Sequence, residues 1–257
     1  MTLPAADDKR AVVEAMFDRI APRYDLMNRL MTFGIDRGWR RRAIAALGLR
    51  PGERVLDLAC GSGDLAAAAR ATGARVVGID FSAGMLRQAR TRRLDCGLVR
   101  ADALALPFAD ASIDAVVSGF ALRNFADLAA ALAESARVLR CDGRLALLEV
   151  DRPASTLLRW GHAIYFRRVV PFIGALLSER DAYAYLPEST VYLPDETALR
   201  EILVAAGFRT IRKRSLLGGA AQLVTARRAE VAAAGSAAPK GEGATRMGAA
   251  QRGALHA

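Results

Sequence analysis

Short apolar runs at positions 54–58, 75–80, 97–101, 113–119 and 144–150 are bounded by glycine, aspartate and other turn residues, and read as strands buried in a sheet. Helical periods lie between them. Leu65-Ala66-Ala67-Ala68-Ala69-Arg70 continues from the first run through a glycine turn, and the stretch 127–139 repeats leucine at i, i+4 and i+11 through Leu128, Leu132 and Leu139. A turn at Asp142-Gly143 separates that helix from the next strand. Leu199, Ile202, Leu203 and Ala206 mark a further helix that starts after Pro194-Asp195 and stops at Gly207. Short strands at 210–215 and 222–226 complete the pattern, which predicts a doubly wound seven-stranded α/β sheet of the Rossmann-like kind.

The candidate chemistry sits at the ends of these strands. Asp57-Leu58-Ala59-Cys60-Gly61-Ser62-Gly63-Asp64 joins strand to helix through a turn in which Gly61 and Gly63 permit close approach of a ligand to the backbone. Gly61-x-Gly63-x-x-Ala66 also fits the loose dinucleotide fingerprint. A pyrophosphate, however, gains from bare backbone N–H groups at a helix start, and Asp57 and Asp64 put carboxylates there instead. S-adenosylmethionine carries an ammonium and a sulfonium and no phosphate, so the acids favour it. Asp80 closes the second strand 19 residues after Gly61, where a carboxylate can hold ribose hydroxyls. Asp102-Ala103 follows the third strand, placed for the adenine amino group, and Gly119 ends the fourth with room for the cofactor to lie against it. Each aspartate taken singly also reads as a helix cap or solvated turn, but sites at four successive strand ends converge on one crevice.

Composition narrows the partners. Lys+Arg 37 against Asp+Glu 27 gives +10 and a pI near 10.3, which raises nucleic acid or an anionic membrane as a partner. The charge is scattered, a net +3 of it from Arg227 onward, and no aromatic-basic signature for nucleic acid appears, so the membrane surface is preferred. Residues 227–257, rich in Ala, Gly and Ser, read as a disordered tail. No uninterrupted apolar run approaches a membrane span, and the N-terminus is acidic before it is apolar, unlike a signal peptide. Cys60, Cys96 and Cys141 lack metal-ligand spacing, so no metal is expected, and their odd number suits a reducing cytoplasm. The stretch 155–178 mixes Trp160, Tyr165, Phe166 and aliphatics with Arg159, His162, Arg167 and Arg168; it reads equally as a membrane-interface helix, a lid over a lipid tail, or a helix packed on the sheet.

Outside the cofactor turn, Phe17-Asp18-Arg19-Ile20-Ala21-Pro22-Arg23-Tyr24-Asp25-Leu26-Met27-Asn28 with Arg37-Gly38-Trp39-Arg40-Arg41 resembles the opening of the ubiquinone/menaquinone-biosynthesis C-methyltransferases. The likeness continues through 55–64, Leu106-Pro107-Phe108, Phe120-Ala121-Leu122-Arg123-Asn124-Phe125, Leu148-Glu149, Tyr185-Leu186-Pro187-Glu188-Ser189 and Ala206-Gly207-Phe208, and spans roughly positions 12 to 226. It implies a class I S-adenosylmethionine-dependent fold, with the cofactor against Ser62, Asp80 and Asp102-Ala103. Ala121, Cys141-Asp142 and Val224 depart from the family pattern, and Gly119 stands where a serine is common.

The implied reaction methylates a ring carbon of a polyprenylated quinol. In that reading Arg123 favours the developing phenolate, Asn124 orients a ring hydroxyl or water, and Tyr24 with Asp25 closes the pocket. Arg123-Asn124 reads equally as a loop capping a helix that begins near Ala126. The implied layout is a helical cap over the active site at 1–50, a methyltransferase domain at 51–226 with an amphipathic insertion at 155–190, and the tail. The expected setting is the cytoplasmic face of a membrane, as a homodimer or within a biosynthetic complex. Another prenylated phenol or lipid as substrate, and a non-catalytic binding protein on the same fold, are the alternatives.

Overall fold

Strand residues alternate between two cores, and that alternation builds the sheet. Leu56 and Leu58 of β1 (Arg54–Leu58) enter one apolar layer with Val116, Leu132 and Leu203, whereas Val55 enters the opposite layer with Trp39, Ile44, Leu65 and Val117. The computed structural model describes residues 6–151 and 189–230, with side chains from residue 9 onward. The expected insertion, with Trp160, His162 and the basic stretch 159–168, falls outside the described residues except for 189 and 190.

Three helices open the chain: α1 (Ala6–Ile20), α2 (Tyr24–Thr32) and α3 (Asp36–Leu47). After β1 come α4 (Asp64–Arg70), β2 (Arg75–Asp80), α5 (Ala83–Thr91), β3 (Gly97–Arg100) and β4 (Ile113–Gly119). Then follow α6 (Leu128–Val138), β5 (Leu139–Val150), α7 (Glu196–Ala205), β6 (Phe208–Leu216) and β7 (Ala221–Arg228). The sheet order is β3-β2-β1-β4-β5-β7-β6, with β1 to β5 parallel and β7 antiparallel to both neighbours. The seven strands read from the sequence are thus the seven observed. Among the described residues no helix is long and apolar enough to cross a membrane.

Several boundaries move for local reasons. Asp127, not Asn124, caps α6, its Oδ1 accepting the Ala130 N–H at 2.9 Å, so the capping alternative for Arg123-Asn124 is corrected. The turn expected between α6 and a strand at Arg144 is an irregularity inside β5: Leu139 already pairs with Ile113, and the register resumes only at Ala115 with Arg144. Arg227 and Arg228 belong to β7 and not to the tail; Arg227 binds Asp142 of the neighbouring β5 at 2.6 Å.

The first helix is fastened over the carboxyl edge of the sheet. Val13, Met16 and Ile20 of α1 bury against Met85 of α5. The Asp18 carboxylate accepts from Ser82 Oγ at 2.6 Å and from the Gly84 N–H at 2.7 Å, and a Cβ on Gly84 would come within 2.8 Å of the Asp18 backbone, so only glycine allows this approach.

Candidate active site

Where β1 and β4 lie side by side and the chain turns from one half of the sheet to the other, their carboxyl ends leave a crevice, as doubly wound sheets do. It holds two adjoining cavities, of about 130 Å³ and about 40 Å³, that share Ala59, Asp80, Phe81, Asn124 and Phe125. Arg10, Asp102, Ala103 and Leu104 complete the larger; Phe17, Tyr24, Gly61, Gly119 and Phe120 belong to the smaller. Ala59 and Phe120, which follow β1 and β4, both sit in the left-handed region, at φ 55° and 61°. Such conformations cost about 1–2 kcal/mol each in a residue with a side chain, and both of these residues wall the crevice.

Asp80 is the centre of the arrangement. Its Oδ2 accepts the Gly61 N–H at 2.8 Å and its Oδ1 the Ser82 N–H at 2.9 Å, so the carboxylate fixes the glycine turn and keeps lone pairs for a diol. The side chain is 6% exposed, and burial pushes its carboxyl up to about 6 against the lowering effect of the Ser82 and Gly61 N–H groups. Asp102 Oδ1 accepts the Leu104 N–H at 3.0 Å, and its other oxygen meets Arg10 of α1 at 2.9 Å. The loop carrying Asp102 and Ala103 is held from behind. Glu134 accepts the Leu106 N–H at 2.7 Å, and Arg137 donates to the carbonyls of Leu106 and Phe108, which gives the Leu106-Pro107-Phe108 motif its structural reason.

Other expected site residues stand elsewhere. Asp57 points to the α3–α4 side of the sheet and lines neither cavity. It is fully buried with neither carboxylate oxygen hydrogen-bonded, and burial pushes it up to about 8, opposed by the facing Ala66 N–H and the Arg40 charge and reinforced by Asp80 and Asp64. Asp64 is taken up by arginines, Arg92 at 2.6 Å and Arg40 at 3.6 Å, so its charge is answered within the protein. Ser62 is 2% exposed and donates to Asp25 Oδ1 at 2.5 Å, while Arg92 binds the second Asp25 oxygen at 2.5 Å. Gly63 heads α4 at φ 87°.

Gly119 touches the smaller cavity, and a Cβ there would meet Leu65 Cδ1 at 2.7 Å. The serine common in the family therefore has no room in this chain unless Leu65 shifts.

The three residues expected to act on the substrate part company. Tyr24 lines the smaller cavity edge-on to Phe17, with ring centres 6.1 Å apart, and Asn124 lines both cavities. Arg123 lines neither. It is 6% exposed and donates from Nη1 to Glu149 Oε1, while the other Glu149 oxygen accepts the Leu122 N–H at 2.9 Å. The guanidinium expected beside the reacting ring is thus engaged behind the Leu122–Asn124 turn. Sequence reasoning missed Glu149 and Arg92 as organisers; both act over distances of 26 residues or more in the chain, and no spacing rule links them.

Residues 4–228 match the profile of the ubiE/COQ5 methyltransferase family. A demethylmenaquinone methyltransferase of Thermus thermophilus is 47% identical over 215 residues, 81% of this chain and 97% of that one. A ubiquinone/menaquinone biosynthesis C-methyltransferase of Geotalea uraniireducens is 39% identical over 224 residues, 83% and 95% of the two chains. Among solved structures, an S-adenosylmethionine-dependent methyltransferase of Thermotoga maritima superposes with a TM-score of 0.61 at 18% identity, covering 84% of this chain and 99% of that one, a likeness of fold. The sheet order, the glycine turn tied to Asp80 and the match over nearly all the described residues agree: the chain belongs to the ubiE/COQ5 methyltransferase family and is a methyltransferase by fold and by descent.

Proposed function

We propose that this chain uses S-adenosylmethionine to methylate a ring carbon of a polyprenylated quinol in menaquinone or ubiquinone biosynthesis, with the naphthoquinol favoured by its likeness to the Thermus thermophilus relative. The observation that carries the reading is Asp80, a carboxylate at the tip of β2 that fixes the glycine turn and faces both cavities. The donor set suits the cofactor: Asp80 for the ribose hydroxyls, the Asp102-Ala103 edge for adenine, and the Gly61 and Gly119 backbones where a side chain would crowd it.

When bound, the cofactor supplies an electrophilic methyl group on a sulfonium. The chain's own residues then have to align a nucleophilic carbon and keep the site dry. Phe17, Phe81, Phe120 and Phe125 wall the crevice against water. Asn124 orients the ring hydroxyl or a water from the shared wall, and Tyr24 closes the smaller cavity. Arg123 is a positioning residue: its pair with Glu149 sets the turn that presents Asn124. Helices α1 to α3 form the cap, and the enzyme works at the cytoplasmic face of a membrane, because its substrate is a lipid and the chain carries +10.

The test is methyl transfer from labelled cofactor to short-chain demethylated naphthoquinol and benzoquinol, with complementation of strains lacking either quinone methyltransferase. Transfer to one head group supports the reading. Cofactor binding with no transfer to either quinol would sink it and revive another phenol, a lipid, or a binding role.

A further inference from the structure

Leu26, Leu30 and Phe33 follow one another at i, i+4 and i+7 on α2 and its cap, and they are 50%, 40% and 77% exposed; Ile35, next to them, is 42% exposed. The opposite face of the same helix is occupied: Met27 is buried and Tyr24 lines the smaller cavity. An outward apolar stripe on a helix whose other side already serves the core is unusual for a surface helix.

Phe33 adds a second observation. It is the C-cap of α2 at φ 50° and ψ 30°, a left-handed conformation that glycine and asparagine adopt readily and a bulky aromatic residue does not. The ring stands mostly in solvent, so burial offsets little of that cost.

The charge around the stripe is of one sign. Between positions 21 and 42 the exposed charged residues are Arg23, Arg29, Arg37, Arg41 and Arg42, with no exposed acid. Asp25 is turned inward to Ser62 and Arg92, and Asp36 to Arg40 and Thr32. Arg40, within the same basic run, does not join this surface charge, since it is only 8% exposed and is consumed by Asp36 and Asp64.

We infer that the corner formed by α2 and the start of α3 is the membrane-docking edge of this protein, with Phe33, Leu26 and Leu30 entering the acyl boundary and Arg29, Arg37, Arg41 and Arg42 meeting anionic headgroups. An aliphatic-aromatic stripe flanked by arginines is the composition that interfacial helices use. Tyr24 stands on the same short helix, so docking there brings the smaller cavity beside the bilayer from which a prenylated ring would be drawn. The inference rests on the lipid-borne substrate proposed above, and its test does not depend on that substrate.

Full-length protein is floated with phosphatidylcholine vesicles, with and without phosphatidylglycerol. Wild type binds the anionic vesicles and is released by salt. Phe33→Asn binds roughly tenfold or more weakly because one buried aromatic contact is lost, yet melts no lower than wild type because Asn relieves the left-handed strain. Arg37→Gln/Arg41→Gln/Arg42→Gln binds roughly a hundredfold more weakly to anionic vesicles and unchanged to neutral ones. Turnover of a short-chain quinol in detergent stays at the wild-type level in both variants. Wild type that does not float, or Phe33→Asn that floats as well as wild type, overturns the inference. So does sedimentation showing a dimer that Phe33→Asn breaks while wild type ignores vesicles, which would assign the stripe to a second copy. Flotation as expected without turnover by wild type would count against the quinol reading alone.

Discussion

Asp57 lets the electrostatics of the glycine turn be tested without any ligand. Its carboxyl has an ordinary value of 3.8 and is pushed up to about 8 by complete burial, with neither oxygen hydrogen-bonded. Between those values the folded protein keeps the proton and the unfolded chain has lost it. The native state therefore binds more protons, and this group's contribution to stability falls as pH rises through the window from about 4 to 8, then levels off. One proton changes the unfolding free energy by about 1.4 kcal/mol per pH unit well inside the window, so the loss from pH 6 to pH 8 is about 2 kcal/mol, allowing for half-titration at the upper end.

Asp57→Asn has nearly the shape of the protonated acid and does not titrate. At pH 6 variant and wild type should unfold at similar urea concentrations; at pH 8 the variant should be the more stable by about 2 kcal/mol. The difference between the two proteins cancels the titrating groups that do not interact with Asp57, and leaves the coupling to Asp80 and Asp64 inside the measured window. A stability difference that stays flat from pH 6 to pH 8 would show that Asp57 is ionised throughout and that the turn solvates its charge by other means.

Three further outcomes follow from the site. Asp80→Asn should weaken binding of S-adenosylhomocysteine by roughly ten- to a hundredfold, since hydrogen bonds to a charged acceptor are worth about 1.5–3 kcal/mol, and an unchanged dissociation constant by calorimetry would place the ribose elsewhere. Gly119→Ser should destabilise by about 1–3 kcal/mol through overpacking on Leu65, and Leu65→Val should recover part of it; thermal melts of the single and double variants decide, additivity refuting the contact. Arg123→Ala should cost about 3–5 kcal/mol by leaving the Glu149 carboxylate buried alone, whereas Arg123→Gln/Glu149→Gln should lose less than the sum of its single changes; a double-mutant cycle without coupling would dissolve the pair.

The sheet and the residues at the crevice edge were legible because both are written locally. Alternation places Leu56 and Leu58 on one face and Val55 on the other, and the strand ends deliver Asp80, Asp102-Ala103 and Gly119 to the crevice whatever the helices do. The side chains misjudged are those whose partners lie far away in the chain. Asp64 looks like an acid offered to a cation until Arg40 and Arg92 arrive from α3 and from the end of α5. Asp57 looks like a ligand until the pleat turns it away from the crevice.

Arg123 shows most sharply why residue type alone misleads. A guanidinium in a loop next to an asparagine reads as a charge awaiting a phenolate, and nothing within the loop contradicts that. Glu149, 26 residues later at the end of β5, decides the matter: it is fully buried, and a buried carboxylate without a cation would be far more costly than a solvent-facing arginine is useful. Once Arg123 is committed there, the same carboxylate also takes the Leu122 N–H, and the turn has little freedom left. Its last residue, Asn124, is then the polar side chain common to the walls of both cavities that is neither acidic nor basic. A neutral donor and acceptor at that junction suits a reaction whose leaving group needs no protonation and whose nucleophile needs orientation more than a strong base.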